Sequence, residues 1–279
     1  VVRQTRGELA SALDARRNAA RAARAAGLRN REAMLTINLG FALTTIGAKD
    51  EARTEIDAGL AMAEEIGSTG TLRLGKMILL GWAAHFGGDP SLLPVLAESR
   101  QTADEAAQGG WITRDRVTLG VLFYRGCELV ASGEQADLRR ASKLLAIAAE
   151  AYRQTDNRDV LPVALGYWAE ALRRNGETEE AERIALEAAQ LVESGAPSLL
   201  NEGIIYIALA SAQIDLGDLN GAQATIKRAM PALSRRVQGL RGTPYERQFL
   251  TALSHNAALL EAAESYDCVP ADLEAILQG

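Results

Sequence analysis

The sequence predicts an all-α protein: an α-α superhelix, or solenoid, of about five helix pairs with flanking helices at both ends. Three observations carry this. Glycines recur at a nearly constant step: Gly47, Gly88 (41 residues on), Gly133 (45), Gly176 (43) and Gly217 (41). On both sides of each, apolar residues return at helical spacing. Alanine is frequent and aromatics make up only 5%, which suits helices that form readily and pack closely. A glycine in the left-handed conformation ends one helix, and so short a turn makes the next helix antiparallel to it. One such pair cannot bury its apolar faces alone, so pairs stack.

In chain order, Glu8–Ala26 reads as a helix within residues 1–30, the second member of a truncated repeat. Pairs follow at residues 31–68, 69–110, 111–155, 156–196 and 197–238. Residues 239–279 read as capping helices, one long over Thr243–Ser265 and one short over Ala271–Leu277. A cap with a polar outer face is what a solenoid needs. The chain opens on Val1 and is expected to be a piece of a longer protein.

The clearest pair is Leu165–Glu193, LGYWAEALRRNGETEEAERIALEAAQLVE. The same frame fits Leu35–Glu65 and Ile205–Met230. Asp50 and Thr178 are expected N-caps of second helices. Small and apolar residues fall at fixed places: Leu39, Gly40, Leu43, Gly47, Ala52, Ile56 and Gly59 in one pair. Another has Trp168, Ala169, Leu172, Gly176, Ala181, Ala185 and Ala188. A third has Leu209, Ala210, Gly217, Ala222, Ile226 and Ala229, with Gln213 where an apolar residue belongs. Small residues there let two helices touch while the apolar ones fill the seam.

This pattern resembles the tetratricopeptide repeat (TPR) in its long-helix variety, over Glu32–Met230. Two pairs depart from it. After Gly88, Leu93 and Arg100 occupy the small positions, and Pro90 and Pro94 stand near the helix start. After Gly133, Glu134–Asp137 reads as a short insertion. The end, SRRVQGLRGTPYERQFLTALSHNAALLEAA, is similar to the last segment of helical-repeat regions in large bacterial regulators, among them Ser/Thr kinases and ATPase-type transcription activators. The resemblance implies a protein- or peptide-binding regulatory or scaffold module of a bacterial signalling protein. The alternatives are a small-molecule-sensing domain of a transcription activator and an oligomerising architectural repeat.

Composition narrows the chemistry. A net charge of −6 disfavours a nucleic-acid partner. The basic clusters Arg16-Arg17-Arg21-Arg24, Arg139-Arg140-Lys143 and Arg235-Arg236-Arg241 are interrupted, as solvated faces or inter-repeat ion pairs are. No apolar run reaches the ~18 residues of a membrane span; Met77–Phe86 is too short. Cys127 and Cys268 are far apart and form neither a metal spacing nor a disulfide framework, so a reducing cytoplasm is expected. Gly70–Met77, GTLRLGKM, approaches a phosphate-binding loop but has Met77 in place of the hydroxyl and a helix before it. His85 and His255 have no partner at metal-ligand spacing. No catalytic residue, metal or cofactor is expected.

First helices of stacked pairs line the concave face. Counted from the turn glycines, its positions are Asn38 and Phe41, then Ile78, Trp82, His85 and Phe86, then Phe123 and Tyr124. Tyr167, Glu170, Arg173 and Arg174 follow, and then Ile207 and Ile214. Related repeats often hold a peptide backbone with an asparagine at the place of Asn38, and an amide both donates and accepts. Phe41, Trp82, Phe86 and Phe123 form either a hydrophobic binding strip or a core buried by the superhelix itself. Glu170, Arg173 and Arg174 make the far end polar.

Overall fold

The computed structural model describes residues 8–87, 90–109, 115–155, 159–196, 198 and 200–278. Among the described residues there are fourteen α-helices and no strand. Helix α1 (Leu9–Ala25) precedes five pairs. These are α2 (Arg29–Thr45) with α3 (Lys49–Glu65), α4 (Thr69–Phe86) with α5 (Leu93–Gly109), and α6 (Arg116–Ser132) with α7 (Gln135–Arg153). Then come α8 (Leu161–Arg174) with α9 (Thr178–Glu193), and α10 (Gly203–Asp215) with α11 (Leu219–Gln238). The chain ends in α12 (Tyr245–Thr251), α13 (Ser254–Ser265) and α14 (Ala271–Gln278). No helix among the described residues is long and apolar enough to cross a membrane.

Consecutive helices from α1 to α13 pack on each other in an α-α superhelical arrangement, and α14 packs on α12. First helices also pack on the first helices of the next pair: α2 on α4, α4 on α6, α6 on α8, α8 on α10. Second helices, α5 on α7 excepted, have little contact of this kind. The first helices therefore form the inner row of the curve.

The turns explain the glycine series. At Gly47 the backbone takes φ 85°. The Ala48 N–H donates to the Leu43 carbonyl at 3.0 Å and the Gly47 N–H to that of Thr44 at 3.2 Å. This double bond pattern satisfies the last carbonyls of α2. It repeats at Gly176 and Gly217, and also at Gly27, Gly67 and Gly195, which end second helices. Glycines thus close turns between pairs as well as within them. Gly88 lies outside the described residues; its neighbour Gly87 has φ 87°.

Several local expectations are corrected. Asp50 and Thr178 lie inside their helices, and the N-cap positions belong to Ala48 and Glu177, neither of which makes a side-chain cap. Asp50 instead stands in the first turn, where a carboxylate complements the helix dipole. The short insertion Glu134–Asp137 falls at the helix start, with Glu134 as N-cap. Its residues extend α7, which starts at Gln135. The segment GTLRLGKM lies within α4. Thr243–Ser265 breaks into α12 and α13, because Leu253 is extended (φ −91°, ψ 109°). The break buries Phe249, Leu250 and Leu253 together. Buried Asn256 bridges it by donating from Nδ2 to the Phe249 carbonyl at 2.8 Å. Gln213, polar in an apolar seam, accepts a hydrogen bond from Thr225 Oγ1 at 2.8 Å.

The small-residue positions hold. A Cβ on Gly40 would lie 2.9 Å from the Ala52 carbonyl oxygen, and one on Gly59 would lie 3.0 Å from that of Ala33. Inter-repeat ion pairs use several of the arginines: Arg73–Asp115 at 2.9 Å, Arg153–Glu187 at 2.7 Å and Arg173–Asp215 at 2.9 Å.

The superhelix closes on itself. The Ala10 N–H donates to the Gly239 carbonyl at 2.9 Å. Arg17 Nη2 donates to the Tyr245 hydroxyl at 2.7 Å, and that hydroxyl donates to Glu51 at 2.8 Å. Gly47 is buried under α12, where a Cβ would lie 2.7 Å from the Gln248 carbonyl oxygen.

Two glycine substitutions separate turn strain from closure. Gly176 has nothing within 4 Å of a built Cβ, so Gly176→Ala carries only the left-handed penalty, about 1–2 kcal/mol. Gly47→Ala adds a clash with fixed backbone and is expected to cost about 3–5 kcal/mol. Urea unfolding of both variants measures the difference; equal losses would mean that α12 yields freely at this contact.

Candidate functional site

Closure divides the inner face. Helix α12 covers the C-terminal end of α2 at Gly47, α13 lies against Gly203 at the start of α10 and Tyr167 in α8, and a cavity lies beside the first halves of α4 and α6.

At the covered end, α13 packs on α10 and α11. His255 Nε2 lies 3.0 Å from the Tyr167 hydroxyl, with the two rings edge to face at 5.3 Å. Asn201 donates to Asn256 Oδ1 at 2.8 Å. His85 Nδ1 is 2.8 Å from the Gly81 carbonyl. Burial lowers both imidazoles, and the two histidines are close enough for His85 to depress His255 further. Both are neutral imidazoles at neutral pH.

The cavity has a volume of about 380 Å³. It lies between the middle of α2, the first halves of α4 and α6, the end of α7 and the segments leading into α8 and α10. Asn38, Phe41, Ile78, Phe123 and Tyr124 all line it. These are five positions that the sequence placed on the concave face. The lining also includes Leu74, Met77, Gly120, Tyr152, Val160 and Leu200, which sequence reasoning missed. Arg116 (exposed) and Asp159 (half-buried) stand at the rim. A helical step back from Ile78 reaches Leu74, and one from Phe123 or Tyr124 reaches Gly120. That periodicity was available in the sequence. Tyr152 belongs to a second helix, and nothing local marks it as inward-facing.

Aromatic packing fixes the floor. Phe123 is 1% exposed and meets Tyr124 at 4.9 Å, Tyr167 at 5.9 Å and Tyr152 at 6.4 Å, the last two edge to face. Burial pushes the Tyr124, Tyr152 and Tyr167 phenols up, and the Cys127 thiol with them. All stay neutral, so Cys127 is an unreactive core thiol. The Asn38 carboxamide turns back to donate to the Met34 carbonyl at 2.9 Å.

The other sequence-named positions lie elsewhere. Trp82 is buried in the seam with α3. Its indole N–H donates to the Lys49 carbonyl at 2.9 Å, under Lys49 and Arg53 at 5.9 and 5.3 Å. Phe86 packs on Trp82 at 5.7 Å. Arg173 joins Glu170 to Asp215, each at 2.9 Å, and Arg174 donates to the Val130 carbonyl at 2.7 Å. Those charges bind repeats together. Ile207 is half-buried against the core. Ile214 is exposed beside Leu216 and Leu219 at the last hairpin turn.

A larger depression, about 590 Å³, lies between α11, α12 and α14. Gln238, Arg241, Pro244, Arg247, Asp272 and Ala275 in its lining are all exposed. It is an open cleft, whereas the inner cavity has a buried aromatic wall. Among the described residues no three His, Cys, Asp or Glu side chains converge to hold a metal ion.

The fold and cavity define a class: an all-α, α-α superhelical protein whose inner face is part plugged and part hollow. Neither a protein-family model nor a curated protein matches this chain.

The buried histidine makes stability depend on pH. Folded His255 is pushed down to about 3, by burial first and His85 second; an unfolded histidine titrates at about 6.5. Between these values only the unfolded chain binds the proton. Stability is therefore unaffected above about pH 6.5 and falls below it, by up to about 1.4 kcal/mol per pH unit. Melting temperatures from about pH 7 down to about pH 5 should fall more steeply for the native chain than for His255→Gln, which keeps a polar partner for Tyr167. Parallel curves would remove His255 from this account.

Proposed function

We propose that this chain is a regulatory helical-repeat module of tetratricopeptide type, part of a larger bacterial signalling protein, that reads a compact ligand in its inner cavity. One observation carries the reading: the inner face holds a space of about 380 Å³ with a buried aromatic wall, beside the stretch on which α12 and α13 pack. That volume lies within the range of small-molecule sites. An extended peptide running along the groove, as the repeat alone implies, would require α12 and α13 to leave. A ligand in the cavity touches α2, α4 and α6 at once. Drawing three repeats together alters superhelical pitch, and a change of pitch is a signal a neighbouring domain can receive.

Leu74 is half-buried and lines the cavity, so Leu74→Trp fills it without touching the fully buried core. The purified chain is expected to retain a small-molecule adduct in native mass spectrometry, or to gain thermal stability from members of an apolar compound library. Leu74→Trp should lose both responses while keeping its own melting transition. No adduct and no shifting compound, or responses unchanged in Leu74→Trp, would overturn the reading.

A further inference from the structure

Resting on the cavity as the ligand site, we propose that it selects a neutral, largely apolar molecule bearing a hydrogen-bond-accepting oxygen, held by the hydroxyls of Tyr124 and Tyr152.

Both tyrosines are more than nine-tenths buried, at 6% and 4% exposure, and both line the cavity. Neither hydroxyl has a hydrogen-bond partner among the described residues, whereas the third buried phenol of the cluster, Tyr167, has His255. Buried polar groups are satisfied almost without exception. Two hydroxyls without a protein partner on one cavity wall are therefore free to donate to whatever fills the cavity. Neither is among the fully enclosed unpaired atoms, so a molecule in the cavity can reach them.

The protonation state gives the polarity of that bond. Burial raises both phenols far above neutrality, and Asp159 raises Tyr152 further. They keep their O–H protons and can donate, so a carbonyl, ether or hydroxyl oxygen on the ligand is a matching acceptor. The other polar wall group, the Asn38 amide, already donates to Met34.

The remaining wall decides the rest of the molecule. Phe41, Leu74, Met77, Ile78 and Phe123 offer no hydrogen bonds. A polyhydroxylated ligand would leave most of its groups unpaired there, which is unfavourable. Arg116 and Asp159 at the rim have opposite signs, so the mouth presents no net charge to an ionised ligand, and no counter-charge lines the interior.

A matched pair of rigid probes tests this. Fluorene and 9-fluorenone have the same apolar frame, and only the second carries a carbonyl. Titration of the full chain, followed by tyrosine and tryptophan fluorescence and by calorimetry, should show fluorenone binding about fivefold or more tighter, the worth of one hydrogen bond. In Tyr124→Phe plus Tyr152→Phe the preference should vanish while fluorene binds as well as before. Retained fluorene binding shows that the variant is folded with its cavity intact. Equal binding of both probes to the native chain, or a preference that survives in the double variant, would overturn the proposal while leaving the cavity in place, provided Leu74→Trp abolishes both. If neither probe binds, or Leu74→Trp leaves binding untouched, the cavity reading itself fails.

Discussion

The contact between the first hairpin and the penultimate helices governs the inner face. Gly47 has no side chain to hold α12 away, and the Tyr245 hydroxyl joins Arg17 to Glu51 across the ends of the chain. Without that closure, α12 and α13 would keep only their packing on α10, α11 and α14 and the His255–Tyr167 contact to α8. With it, the end of α2 meets α12 and the start of α10 meets α13, while the first halves of α4 and α6 line a space. The local energies are modest, since a hydrogen bond contributes about 1 kcal/mol. Their weight comes from the apolar surface they keep covered, including Phe249, Leu250 and Leu253.

Charge is distributed to serve the same geometry. Arg73–Asp115, Arg153–Glu187 and Arg173–Asp215 each join one repeat to the next. Exposed pairs of this kind contribute little individually, but they set register between neighbours. Within α1–α2, Glu32 is buried under Arg24, whose hydrogen bond holds its carboxyl below the usual range. The interior has the reverse character. Its titratable groups are phenols, imidazoles and a thiol, and burial keeps all of them neutral.

How far the sequence discloses this follows from which features are local. Helix periodicity, turn glycines and the small seam residues Gly40 and Gly59 are local, and the helix pairs could be read from them. The caps at Asp50 and Thr178 were misplaced because glycine turns with double carbonyl bonds left the second helices to begin directly on Ala48 and Glu177. The break at Leu253 was invisible, since residues 243–265 are periodic throughout and only burial against distant repeats favours two short helices. For the cavity, Asn38, Phe41, Ile78, Phe123 and Tyr124 were found by counting along first helices. Trp82, Arg173 and Arg174 satisfy the same count, but inter-repeat hydrogen bonds draw them into seams. Tyr152 and Leu200 reach the cavity only through curvature, a property of the whole ring.

That curvature has a cause in the inner row itself. A Cβ on Gly81 would lie 2.8 Å from the Tyr124 ring, one on Gly166 would lie 3.1 Å from the Ile205 Cα, and one on Gly203 would lie 2.6 Å from Asn256 Oδ1. Each glycine sits where one inner helix meets the next, α4 to α6, α8 to α10, α10 to α13. Interaxial distance is set by the side chains at the contact, so glycine there draws the inner helices together, while second helices, with little mutual contact, splay outward. A row short on its inner edge and long on its outer edge must bend. The bend here is tight enough to bring α12 onto Gly47 within five pairs. The same glycine that tightens the α4–α6 contact, Gly81, also seats the Tyr124 ring against the cavity wall. Curvature, closure and the placement of a donor hydroxyl in the cavity thus share one origin, the absence of a side chain on the inner row.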